Sequence, residues 1–140
     1  MTLRVLFCFA LATALAGCGG NADRIETFPA SGQVLWEGNP LAGALVVLHP
    51  VGASDSQALP ALAETDQQGK FVLGTYDSED GVPAGEYLVT VHWHQLQKNG
   101  ESYEPGPDVV PPQFSDRAQS QLRIRIAAGE NRLPPFVLRR

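Results

Sequence analysis

Hydrophobic and polar positions alternate along several short segments of this chain, with the period of two that is typical of β-strands. The clearest alternation covers residues 86–94, which the pattern predicts to be a half-buried strand. The face that we expect in the core carries Tyr87, Val89, Val91 and Trp93, and the opposite face carries Leu88, Thr90, His92 and His94.

The other predicted strands are separated by turns rich in Gly, Pro, Asn and Asp. They cover residues 31–36, 44–49, 61–65, 70–76, 122–126 and 136–138. Segment 44–49 is apolar on both faces and meets Pro50, so we expect a central strand that ends there. No segment beyond residue 20 has a helical period of 3.6, and the pattern therefore predicts an all-β domain of about seven strands.

Residues 95–120 interrupt this pattern with four prolines among polar and charged residues. The segment is too long for an ordinary hairpin connection. We expect irregular or functional structure there.

The first residues predict export. Arg4 precedes an uncharged apolar run, Val5–Ala16, which is shorter than the roughly 20 residues that a membrane-spanning helix needs. The tetrapeptide Leu15-Ala16-Gly17-Cys18 resembles the lipobox of bacterial lipoproteins. The resemblance implies that the chain is cleaved before Cys18. It also implies that Cys18 receives a diacylglyceryl group on its sulfur and an acyl chain on its amino group, because stable anchoring requires more than one acyl chain. An ordinary cleaved signal with a chance cysteine is the alternative.

The predicted organisation follows from that cleavage. Residues 1–17 are the lipoprotein signal peptide, 18–29 the lipidated cysteine and a flexible tether, and 30–140 the β-sandwich domain. Cys8 leaves with the signal and Cys18 carries lipid, so we expect no disulfide. Gly19 lacks the acidic retention mark at the position after Cys18, which favours the outer membrane, on its periplasmic or surface side, as the location.

The charge narrows the range of partners. The formal net charge is −5, and loss of Arg4 with the signal makes it more negative by one. A nucleic-acid partner would require a basic face, so we exclude one. The lipid on Cys18 is the expected link to the membrane.

Four segments resemble a known domain when taken in order. They are Ser31–Val34, Gly38–Ala44, Thr65–Phe71 and Pro83–Val91, and together they are similar to carboxypeptidase regulatory-like or transthyretin-like domains. The resemblance covers about residues 30–138 and implies a seven-stranded prealbumin-like β-sandwich. The related hydroxyisourate hydrolases end in Tyr-Arg-Gly-Ser, whereas this chain ends in Pro134–Arg140, so their activity is not expected here.

Few residues offer chemistry. His92 and His94 lie two apart on one strand face, which places two imidazoles about 7 Å apart and within reach of one metal ion. His49 or Asp108 could supply a third ligand, and the alternative is two solvent-facing histidines. The acidic segment 77–81 lacks the EF-hand order and is read as a solvated turn. No nucleophile elbow or phosphate loop is present in the sequence, and no cofactor is expected.

Surface aromatic residues could bind sugars. Trp36, Tyr76 and Tyr103 are the candidates that the strand parity leaves outside the core. The sequence therefore predicts a non-catalytic, membrane-anchored binding or structural module of the cell envelope. The alternative is a ligand- or carbohydrate-binding accessory subunit of an envelope hydrolase or transport system.

Overall fold

The computed structural model describes residues 24–52 and 59–140. The predicted signal peptide and Cys18 lie outside the described residues. Within the described part of the chain, no helix is long and apolar enough to cross a membrane.

The described residues form thirteen short strands and one helical turn. In chain order these are β1 (Thr27–Phe28), β2 (Ala30–Trp36), β3 (Asn39–Pro40), β4 (Leu45–Pro50), β5 (Ala61–Glu64), β6 (Lys70–Val72), β7 (Val82–Pro83), β8 (Gly85–His92), β9 (His94–Asn99), β10 (Ser102–Asp108), α1 (Pro112–Ser115), β11 (Arg123–Ile126), β12 (Asn131–Arg132) and β13 (Phe136–Leu138). The prediction of an all-β domain is confirmed, although the strands outnumber the seven expected.

Two sheets enclose the core. One has the order β11-β8-β4-β5, with antiparallel neighbours throughout. The other is centred on β2, which pairs in parallel with β12 and β13 and antiparallel with β3 and β6. Strand β4 therefore has a neighbour on each side, as its doubly apolar sequence predicts.

A single hydrophobic cluster joins the two sheets. Val34 and Leu138 from the β2 sheet and Leu48 and Val89 from the β8 sheet belong to it, each with no solvent exposure. Phe71 and Phe136 stack within the same cluster, with ring centroids 5.9 Å apart. The burial of facing side chains from both sheets is what defines the sandwich.

The β2–β3 hairpin turns where the sequence predicts it. Glu37 and Gly38 both have positive φ, 49° and 85°, which is the type I′ requirement for two-residue hairpin loops. Gly38 meets this requirement without steric cost.

The alternating face predicted for residues 86–94 is confirmed in β8. Tyr87, Val89 and Val91 are buried in the core, and Trp93 packs partly buried against it. The opposite face is less open than expected, since Leu88 and Thr90 are also buried.

Residues 95–120 are expected to be irregular or functional, and the structure corrects the first of these for the early part of the segment, which is regular. Strands β9 and β10 form an antiparallel hairpin there, with Ser102 opposite Asn99. Gly100, at φ 63°, is the first residue of the two-residue turn. Among the described residues, β9 and β10 pair only with each other, so each strand has an unpaired edge, where prolines are tolerated.

The packed domain also begins earlier than the predicted boundary at residue 30. Strand β1 pairs with β7, and the backbone N–H of Ile25 donates to the Tyr76 hydroxyl at 2.9 Å. Residues 24–29, assigned to the tether by the sequence, therefore contact the domain.

Candidate functional site

The end of β8 and the hairpin that follows it bring three potential ligands together. His92 closes β8, and His94 opens β9 after a break at Trp93. The pairing of β9 with β10 places Asp108 opposite His94, beyond an irregularity between Pro105 and Asp108. One ligand atom from each of His92, His94 and Asp108 lies within 4.8 Å of the other two.

The structure therefore places His92 and His94, the pair predicted from the sequence, beside one of the two candidate third ligands. Asp108 joins the cluster, whereas His49 makes a different contact. The His49 Nε2 atom lies 3.0 Å from the Thr90 hydroxyl on the neighbouring strand β8.

Backbone hydrogen bonds hold the Asp108 carboxylate in place. Its Oδ1 accepts from the N–H groups of Trp93 and Val110, at 3.1 and 3.0 Å, and its Oδ2 lies 2.7 Å from the His92 Nδ1. Burial by itself would raise the pKa of Asp108, but these hydrogen bonds and the His92 ring outweigh it and hold the pKa below its ordinary value. Asp108 is therefore an ionised acceptor at neutral pH.

That charge fixes the direction of a hydrogen-bond chain. Since a carboxylate only accepts, neutral His92 carries its proton on Nδ1, and its Nε2 accepts from the Thr90 hydroxyl at 3.2 Å. The Thr90 oxygen then accepts from His49 Nε2. Burial first, then the positive charge of Arg117 and the repulsion that a protonated His92 would exert, lower the pKa of His49, which favours the neutral form of His49.

The chain Thr90–His92–Asp108 has the connectivity of a nucleophile, a base and an orienting acid. However, Thr90 is only 1% exposed, so its hydroxyl cannot meet a substrate. The arrangement can order the histidines, but it does not present a nucleophile.

His94 is the most accessible member of the cluster. Its side chain is exposed, and its Nδ1 lies 2.9 Å from the carbonyl oxygen of Gly106. This contact requires a proton on Nδ1, which leaves Nε2 as a lone-pair donor. The cluster thus combines one open imidazole with a half-buried imidazole and carboxylate.

The three aromatic candidates have different environments. Trp36 is partly buried against the core, and the Arg140 guanidinium carbon lies 6.0 Å from its ring centroid. Tyr76 has Arg24 over its ring at 5.1 Å. Only Tyr103, at 67% exposure, keeps a broadly accessible ring among these three.

Tyr103 belongs to an exposed surface that the sequence analysis missed. Register places Tyr103 opposite Lys98 and Pro105 opposite Leu96, so these four residues share one hairpin face, here termed the hairpin platform. Leu96 and Tyr103, at 69% and 67%, are the most exposed large hydrophobic residues in the described chain. The turn signal at Gly100 would have revealed this face had the hairpin been recognised.

The acidic segment 77–81 is a turn organised by Asp80. The Asp80 carboxylate accepts from the backbone N–H groups of Thr75, Tyr76 and Asp77, at 2.7–3.3 Å. Its oxygens are therefore already used by the backbone, in agreement with the interpretation as a turn.

Comparison with known proteins gives no family. No protein-family model and no curated protein matches this chain. Among solved structures, a Pseudomonas aeruginosa protein for which carbohydrate binding has been suggested is similar over 83% of this chain and 90% of its own, with 13% identity and a TM-score of 0.43.

Two further solved structures are similar to this chain over only part of their own length. A DUF3823 family protein from Parabacteroides merdae shares 14% identity at a TM-score of 0.40, with 83% of this chain and 46% of that one covered. Chlorocatechol 1,2-dioxygenase from Pseudomonas putida shares 16% identity at a TM-score of 0.40, with coverage of 86% and 63%. Likenesses at this level assign neither family nor activity to the chain.

Proposed function

We propose that this chain is an exported lipoprotein whose β-sandwich acts as a non-catalytic binding module at the cell envelope, preferably on the outer membrane. The support for export and anchoring is the apolar run Val5–Ala16 followed by Leu15–Cys18. We also propose that the domain has the seven-stranded arrangement of carboxypeptidase regulatory-like domains. The order of its turn and strand segments along the sequence supports this.

The observation that carries the binding role is the hairpin platform. Its two large hydrophobic side chains, Leu96 and Tyr103, remain in water although the same domain buries a full core. Exposed apolar residues grouped on one face mark interaction surfaces more often than isolated ones do. Lys98 adds a charge that can orient a partner.

Anchoring is tested first. Expressed with its own signal, the chain should gain the mass of a diacylglyceryl group and an acyl chain at Cys18 and should partition into detergent. Cys18→Ser should lose both the added mass and the partitioning. Intact-mass analysis and detergent phase separation measure these outcomes. A wild-type chain that stays unmodified and water-soluble would overturn the proposed location.

Carbohydrate binding is the second candidate, as expected for an accessory subunit of an envelope hydrolase or transport system. It is favoured by the accessible Tyr103 ring, because aromatic faces stack on sugars. Removing an aromatic side chain from the centre of a binding site weakens the binding free energy by about 1 kcal/mol or more.

We therefore expect Tyr103→Ala to weaken retention on soluble envelope polysaccharides and peptidoglycan by about tenfold. Tyr103→Phe, which keeps the ring, should bind like the parent chain. Affinity electrophoresis and co-sedimentation report the difference. If the parent and both variants migrate and sediment alike, the carbohydrate candidate is excluded while the anchoring proposal is untouched.

A further inference from the structure

The donor set at the end of β8 is suited to one class of metal ion. Two imidazoles and one carboxylate are preferred by Zn²⁺ and related transition metals, whereas Ca²⁺ and Mg²⁺ prefer oxygen ligands throughout. Three protein ligands with a fourth open position is a common zinc arrangement.

The distances require only small movements of side chains. Zinc holds nitrogen and oxygen ligands at about 2.0–2.2 Å, so its tetrahedral ligand atoms lie about 3.4 Å apart. The three ligand atoms are within 4.8 Å of one another here, and His92 Nδ1 and Asp108 Oδ2, now hydrogen-bonded at 2.7 Å, would move slightly apart to admit the ion. Side-chain rotation of the exposed His94 can supply the rest.

The surrounding contacts leave the required atoms available. Asp108 uses Oδ1 for Trp93 and Val110, which keeps Oδ2 facing His92. Thr90 holds the other edge of the His92 ring through Nε2. Hydrogen bonds of this kind orient metal ligands and strengthen binding in known sites.

We propose that His92, His94 and Asp108 form a three-ligand site for Zn²⁺ or a chemically similar transition-metal ion. The ion would take the place of the proton on His92 Nδ1, which would move to Nε2 and be donated to the Thr90 hydroxyl oxygen, and would tie hairpin β9–β10 to the end of β8. Its fourth position is open to water or to a donor group of a bound partner. His94 precedes Leu96 by two residues on β9, so the site lies at the base of the hairpin platform. This assignment goes beyond the binding role proposed above and does not depend on lipidation.

Titration calorimetry on the full chain, whether or not it carries lipid, tests the site after chelator treatment with Zn²⁺, Ca²⁺ and Mg²⁺ alone. We expect one equivalent of Zn²⁺ to bind at micromolar concentration or below, with no comparable binding of Ca²⁺ or Mg²⁺. His94→Gln and His92→Ala should each weaken Zn²⁺ binding by about tenfold or more. His49→Ala is the matched control, because His49 contacts Thr90 and lies outside the three-ligand cluster.

The exposed position of His94 keeps the test independent of folding, since His94→Gln removes no buried contact. Cobalt substitution adds a second readout, as tetrahedral Co²⁺ in the parent should give visible absorption that the His94→Gln chain lacks. The proposal fails if the parent binds no Zn²⁺, if Ca²⁺ binds equally well, or if His94→Gln and His92→Ala bind Zn²⁺ as tightly as His49→Ala.

Discussion

Leu48→Ala is expected to lower the free energy of unfolding by about 2–5 kcal/mol. Leu48 lies on β4 between Ala61 of β5 and Val89 of β8, and its side chain has no solvent exposure. Truncation removes buried methyl groups and leaves a cavity between two sheets that cannot fully close. Urea unfolding followed by tryptophan fluorescence measures the loss, because Trp36 and Trp93 both pack against this core.

Leu62→Ala is the matched control for this prediction. Leu62 is on the adjacent strand β5 but is 48% exposed, so the same truncation should cost no more than about 1 kcal/mol. Equal losses for Leu48→Ala and Leu62→Ala would mean that the four-stranded sheet does not present β4 to a core in the way the structure shows.

The strand predictions succeeded where one face of the strand is buried in the core. In residues 86–94 the aromatic and β-branched positions repeat every second residue, and the observed core contains Tyr87, Val89 and Val91. The sequence could not show that Thr90, on the opposite face, is buried as well. The Thr90 hydroxyl contacts His49 of β4, and no local pattern reports a contact between separate strands.

The hairpin β9–β10 was missed for a physical reason. Most of its residues are polar, and alternation is hard to recognise where neither face of a strand enters a core. Pro105 and Pro107 argued against a strand, but neither proline has to donate to a second neighbour on this two-stranded ribbon. Gly100 at the turn was the available signal.

The candidate metal cluster shows more clearly what could not be predicted from the sequence. The spacing of His92 and His94 could be read from the sequence, and Asp108 was one of two possible third ligands. What selected Asp108 over His49 is the irregular pairing between Pro105 and Asp108, together with the N–H groups of Trp93 and Val110. Such selection arises from backbone geometry across a hairpin, which residue types alone do not specify.

Asp80→Ala is the second substitution with a large expected effect, a loss of about 2–4 kcal/mol in the free energy of unfolding. The Asp80 carboxylate accepts hydrogen bonds from three backbone N–H groups in the turn before β7. The backbone carbonyl of Asp80 also accepts from the Thr27 hydroxyl in β1, at 2.6 Å, so the turn is tied to that strand. Hydrogen bonds to a charged acceptor are worth more than neutral ones, and water can replace them only in part at this half-buried position. Urea unfolding again gives the measurement.

Asp77→Ala distinguishes the loss of the Asp80 hydrogen bonds from a general effect of removing negative charge from the turn. Within the described part of the chain, the Asp77 side chain pairs with the exposed Arg24 alone, at 2.6 Å, and exposed ion pairs contribute about 1 kcal/mol or less. We therefore expect Asp80→Ala to cost clearly more than Asp77→Ala, with Asp80→Asn between them because one carboxamide oxygen can still accept. Added Ca²⁺ should leave the stability of the parent chain unchanged, since the Asp80 oxygens are already occupied by N–H donors. Stabilisation by Ca²⁺ that disappears in Asp80→Ala would instead identify this acidic turn as a cation site and reverse our interpretation of it.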